Sequence, residues 1–174
     1  VSSAGEEKYP PREGLSKELA DIYHVGIETL RECMQTVYED GPKRDQRLWS
    51  GDLYLESLAN RYSFQNFDLT RRCLYLFAAL VAKDGTLISN IFEHPQPHPQ
   101  DSSYMITYSL LWNSTLKEYL LDTQDTATAN DLWPVAKRQI EDALSYLTRD
   151  YIFDCNKRDV WIFFEIEIGR AVQQ

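Results

Sequence analysis

Apolar residues recur at spacings of three and four along most of the chain, the mark of amphipathic helices. Ser16 can cap a first helix whose face is Leu19, Ile22, Gly26, Leu30, Cys33 and Val37, running to about Tyr38 before Gly41-Pro42 ends it. A second helix is predicted from Asp52, again a capping residue, to about Tyr62, with Leu55, Leu58, Ala59 and Tyr62 on one side. A third, from near Asp68 to Lys83, turns Leu69, Cys73, Leu76, Phe77 and Leu80 inward and stops at Asp84-Gly85. The prolines of HPQPHPQD, His94 to Asp101, exclude a helix there. A fourth helix is expected from Ser102 to Leu121, carrying Met105, Tyr108, Leu111, Trp112, Leu116 and Tyr119. DTQDTATAND reads as a polar connector. A fifth helix follows from Asp131 to about Arg149, lined by Leu132, Ala136, Ile140, Ala143 and Leu147, with Pro134 in its first turn. The period then breaks. In DVWIFFEIEIGRAVQQ, Val160 to Phe164 is continuously apolar and Glu165 to Ile168 alternates, which fits a strand or an irregular return segment.

Five helices in antiparallel succession, with no strand ladder, predict an all-α domain. Residues 1–14, with a Gly, two adjacent prolines and charge, read as an N-terminal arm or linker, leaving 15–174 as the domain. A net charge of −9 with no basic cluster argues against nucleic acid or an anionic membrane as partner. Apolar runs such as Leu74 to Ala82 are too short to span a bilayer. The cysteines Cys33, Cys73 and Cys155 are odd in number and match no zinc spacing, and the first two read as small core residues. His24, His94 and His98 stand apart, and prolines break any helix that would align the last two. No metal and no cofactor is therefore expected. Asn113-Ser114-Thr115 matches a glycosylation sequon, but inside a helix this is a chance match.

One connector departs from this plain picture. Between the first two helices, YEDGPKRDQRLWSGDLYLES packs Asp40, Arg44, Asp45, Arg47, Trp49 and Asp52 into a short span. An arginine beside a carboxylate lowers its pKa, whereas burial or a second carboxylate raises it. Such a loop can keep one acid ionised to hold hydroxyl groups and another protonated. Glycosidic hydrolysis needs a carboxylic acid to protonate the leaving oxygen and a carboxylate on the opposite side. Trp49 could stack on the apolar face of a sugar, and aromatic content of 13% suits that use, although large cores employ aromatics too. The residues alone equally allow a solvated loop whose Asp/Arg pairs only brace a turn.

DGPKRDQRLWSGDLYLE, Asp40 to Glu56, resembles the signature of the six-hairpin α-L-rhamnosidase family, in which Asp-Gly-x-Lys-Arg-Asp-Arg is followed by Trp-x-Gly-Asp. PQDSSYMITYSLLW resembles the family's Asp-x-Ser segment before an aromatic-bearing helix. YLLDTQD resembles its Tyr-x-x-x-Thr-Gly-Asp turn, with Gln124 in place of the glycine, and DVWIFF its Trp-x-Phe-Phe-Asp-Trp segment. The resemblance covers most of residues 15 to 165. It implies helical hairpins forming part of an (α/α)6 toroid and inverting hydrolysis of terminal α-L-rhamnosyl groups. A rhamnose-containing carbohydrate or glycoside is then the expected partner.

Carried across, Asp40 and Arg44 become sugar-binding residues, Trp49 a pocket wall, and Asp101 and Trp112 residues at the pocket border. Asp45 and Asp52 remain as catalytic acids. In the bacterial variant of the motif the general acid is a Glu, and Gln46 stands at that position here. The family's general base lies downstream of this loop, beyond Gln174, and a whole toroid has more helices than are legible here. The chain is therefore expected to be part of a longer catalytic domain, to pair as a homodimer, or to act as a non-catalytic carbohydrate-binding or interaction module, with a purely structural helical domain as the plainest case. Glu165 is the first candidate base should the chain act alone. Rhamnosides are met mainly outside cells, so secretion is the expected setting.

Overall fold

The computed structural model describes residues 2–4, 13–41, 43–100 and 104–154. Cys155 and the apolar tail with Glu165 lie outside them, as does Asp101. Five helices run through the described residues: α1 (Lys17–Cys33), α2 (Ser50–Arg61), α3 (Phe67–Ala79), α4 (Ile106–Thr123) and α5 (Thr126–Ser145). Each consecutive pair packs together, and so do α2 with α4 and α3 with α5. Helices two apart in sequence are thus neighbours, the pattern of hairpins laid side by side in two layers. None is long and apolar enough to cross a membrane.

The helix ends follow local chemistry. Ser16 caps α1, its hydroxyl accepting from the Leu19 amide at 3.3 Å. Asn66 caps α3 through the Leu69 amide. The largest shift is at α5. DTQDTATAND is not a connector: Gln124 ends α4 in the left-handed region at φ 57, and Asp125 caps α5 at once. The Asp125 carboxylate accepts from the Thr128 amide at 3.0 Å and from the Thr128 and Tyr119 hydroxyls. Pro134 therefore lies inside α5 and not in its first turn.

Periodicity located the faces but not always which face is buried. α3 and α4 bury Leu69, Cys73 and Phe77 and Trp112, Leu116 and Tyr119 as expected. On α1 only Ile27, Leu30 and Cys33 are buried, while Leu19 and Ile22 are exposed. On α2 the buried face is Ser50, Gly51, Leu53, Ser57 and Asn60, and Leu55 and Tyr62 point to solvent. Close approach to α4 explains this choice, because small and polar residues admit a neighbouring helix where leucines would hold it off. Asn113, of the sequon, donates to the Ala136 carbonyl across α4 and α5 at 3.1 Å. Ser2 and Ser3, in the segment expected as an arm, bond to the Met34 carbonyl at the end of α1.

A small sheet corrects the expectation of no strand ladder. β1 (Leu48–Trp49) pairs antiparallel with β2 (Asn90–Phe92), which pairs with β3 (His98–Pro99). Leu48 faces Ile91, and Ile91 faces Pro99. The sheet ties the charged connector to the segment before the proline stretch and to His98–Pro99 within it.

Candidate active site

The connector between α1 and α2 is closed at its base. The Asp40 amide donates to the Arg47 carbonyl at 3.0 Å, and the Arg47 amide returns a bond to Asp40 Oδ1 at 3.0 Å. Asp45 and Gln46 both take left-handed backbone, φ 70 and 52, so the chain reverses sharply at the tip. Arg44, Asp45 and Gln46 are exposed there. Arg47 is a brace: its guanidinium lies 4.4 Å from the Phe92 ring centroid and donates to Gln100 Oε1, which also accepts from Asn90. The second foot of the loop is pinned where the Ser50 amide meets the Ser89 carbonyl at 2.9 Å.

Behind the loop, Trp49 and Tyr108 stand edge to face, ring centroids 6.0 Å apart. Gly51 makes this possible, since a Cβ there would sit 2.5 Å from the Tyr108 ring. Gly51→Ala must displace that ring. We expect it to lower the unfolding free energy by about 1–3 kcal/mol in a urea titration; an unchanged midpoint would show that Tyr108 does not pack there.

Carboxylates gather beside these rings. Asp52, in the first turn of α2, is half-buried, and burial followed by the charge of Asp40 pushes its pKa up. The Tyr108 phenol is raised by burial and by the charges of the same two acids. One helical turn beyond Asp52, Glu56 is pushed up to about 9, first by burial, then by Asp52, with Asp40 and Glu39 adding to it. A bond from the Cys33 thiol partly offsets that shift, and Glu56 Oε2 is buried with no hydrogen-bond partner. Glu39 is raised by burial, Glu93 and Asp40.

Of the residues singled out from sequence, the structure brings Asp40, Trp49 and Asp52 together and leaves Arg44 and Asp45 exposed on the loop above them. Trp112 does not border an open pocket. It is 0% exposed, in the core cluster, one turn deeper along α4 than Tyr108. Tyr108 and Glu56 were missed; their signals were the spacing of four before Trp112 and after Asp52. Among the described residues no group of three or more His, Cys, Asp or Glu could hold a metal ion. A cavity of about 520 Å³ opens elsewhere, between α4 and α5, lined by Leu110, Leu120, Trp133 and Ile140 and by no acid, so it does not suit glycoside chemistry.

The family model of the bacterial alpha-L-rhamnosidase 6 hairpin glycosidase domain matches residues 15–160. The chain belongs to that family. A rhamnosidase from Klebsiella oxytoca, solved with rhamnose bound, is 41% identical with a TM-score of 0.86 over 93% of this chain and 31% of that one. A GH78 family rhamnosidase of Bacillus sp. GL1 shares the fold at 22% identity and a TM-score of 0.72, over 90% of this chain and 15% of that one. A comparison with curated proteins gives no match. The chain thus spans less than a third of the length of either solved rhamnosidase.

Proposed function

We propose that this chain supplies the acid side of an α-L-rhamnosidase site, which hydrolyses terminal α-L-rhamnosyl groups with inversion. The observation that carries this reading is Asp52, half-buried beside Asp40 and the Trp49–Tyr108 pair, in a chain of rhamnosidase family. The 41% identity to a rhamnosidase solved with rhamnose bound supports the choice of sugar.

In this mechanism Asp40 and Arg44 hold sugar hydroxyls, and Trp49 offers its ring to the apolar sugar face. A general acid must reach the bond protonated. Burial favours the neutral form of Asp52, whereas Asp45 sits in water at the loop tip, where it could close over a bound glycoside. A carboxylate from outside the described residues activates water on the opposite face, about 6.5–9.5 Å from the acid in an inverting enzyme.

The test is release of the aryl group from an aryl α-L-rhamnoside by the purified chain, beside Asp45→Asn and Asp52→Asn, with rhamnose binding followed by calorimetry. Loss of turnover by about 10²–10⁴-fold in one variant identifies the acid. Rhamnose binding without turnover would place the opposing base on another chain or segment and make this stretch a carbohydrate-binding half-site. A folded chain that neither binds rhamnose nor cleaves the glycoside would sink the proposal.

A further inference from the structure

Gln100 has no place in the mechanism above, yet the connector is tied down at its side chain, 53 residues from Arg47 in sequence. The Gln100 Oε1 accepts two bonds, from Arg47 Nη1 at 3.2 Å and from Asn90 Nδ2 at 2.9 Å. Both donors are themselves held. Asn90 is fully buried and pairs across the sheet with Trp49. Its carbonyl accepts from the Gln100 amide at 3.3 Å, so Gln100 meets Asn90 through backbone and side chain alike. Arg47 lies over the Phe92 ring, a ring that His98 also stacks on. Arg47 is half of the clasp that closes the connector as well. Its amide donates to Asp40 Oδ1 and its carbonyl accepts from the Asp40 amide, each at 3.0 Å. Among the described residues Arg47 forms no ion pair with a carboxylate. A neutral amide and a ring hold the guanidinium, which leaves the acids of the connector to other partners.

We propose that Gln100 is a positioning residue of the sugar site, its amide oxygen holding Arg47 and Asn90 together so that Asp40 and Trp49 stand in a fixed relation before a sugar arrives. This rests on the rhamnosidase reading for the identity of the sugar and for the role of Asp40. Asp40 and Trp49 flank the exposed tip residues Arg44, Asp45 and Gln46. The Asp40–Arg47 clasp joins the connector only to itself, and β1 is two residues long. The Arg47–Gln100 bond therefore adds a second fixed point, on the Asp40 side of the ladder. With Asp40 anchored through Oδ1, Oδ2 is the oxygen that meets a sugar hydroxyl. Freedom already removed in the free chain is not lost again on binding, which is how preorganisation raises affinity. Gln100 touches no sugar; it acts through Arg47 and Asn90.

Gln100→Leu removes the acceptor, and Gln100→Glu keeps it. Amide hydrogen exchange followed by NMR reads the tie without any sugar. In Gln100→Leu the Asp40 and Arg47 amides should exchange about tenfold faster, a larger factor than at the core amides of Phe77 and Leu116, whose change reports overall stability. Gln100→Glu should match the unaltered chain. Calorimetry should then show rhamnose bound roughly tenfold more weakly by Gln100→Leu, the loss expected when one or two more side chains must be ordered on binding. Gln100→Glu should keep the affinity of the unaltered chain. Should Gln100→Leu fail to fold because buried Asn90 loses its acceptor, Arg47→Met cuts the same link and leaves the Asn90–Gln100 bond in place, with the same changes expected. Equal exchange factors at connector and core, or rhamnose affinity unchanged in a folded variant, would overturn the proposal. So would a Gln100→Glu chain that behaves as Gln100→Leu does. If the unaltered chain binds no rhamnose, the rhamnosidase reading fails by itself, and the exchange rates still decide whether Gln100 holds the connector.

Discussion

Trp112→Ala should lower the unfolding free energy by about 3–5 kcal/mol, measured by urea titration. The indole is fully buried in the main core cluster with Leu53, Phe77 and Leu116. The helix that carries it, α4, packs against α2, α3 and α5. Its Nε1 has no hydrogen-bond partner, so what the truncation removes is packing and buried apolar surface, together with a cavity that close-packed helices cannot fill. A pocket wall would behave differently, with weakened sugar binding and little loss of stability. A change below about 1 kcal/mol would show that Trp112 is not the core residue described here. Trp112→Phe retains most of the volume and should recover much of the loss.

The second large effect is a pH slope. Glu56 holds its proton in the folded chain up to about pH 9, whereas in the unfolded chain it ionises near the ordinary glutamate value of about 4.3. Between those values the folded state binds the extra proton, so stability falls as pH rises, by up to ~1.4 kcal/mol per unit, and the loss is complete once pH passes the folded value. The contribution is fully present only below the unfolded pKa. Asp125 works with the opposite sign. Its bonds to the Thr128 hydroxyl and amide and to Tyr119 hold it down to about 2, so its contribution exists above the unfolded pKa and is lost as pH falls through the folded one. We expect melting temperature to decline from mildly acidic to alkaline pH and that decline to flatten in Glu56→Gln. Equal slopes in the two chains would show that Glu56 is ionised throughout.

How far the site was legible follows from where its residues get their properties. The loop from Asp40 to Asp52 stands out in sequence because its composition is unusual for a helical connector, and composition needs no tertiary contact to be seen. Ser16 as a cap is equally local, satisfied by an amide three residues away. Glu56 has only its spacing of four from Asp52 to mark it. A glutamate in a helix is ordinary, and its high pKa arises from burial against α1 and from Asp52, neither of which a helical period reports. Trp112 was misplaced for a related reason. It shares a face with Tyr108, but only the packing of α4 decides that the first is core and the second lies at the cleft.

The helical class, the hairpin order, the position of the charged connector and membership of the rhamnosidase family were in the sequence by itself, because spacing of apolar residues, capping chemistry and motif are all short-range. Which stripe of each helix is buried was decided only by tertiary structure. Leu19 and Ile22 have the right period on α1 and remain exposed, while Ser50, Gly51 and Ser57 on α2 are buried against a neighbour. The three-stranded sheet, which joins residues 48–49, 90–92 and 98–99, and the gathering of Glu39, Asp40, Asp52 and Glu56 belong to the same group. The reason is physical: a period says that a face exists, but burial, strand pairing and the proton affinity of a carboxyl group depend on what segments distant in sequence bring against it.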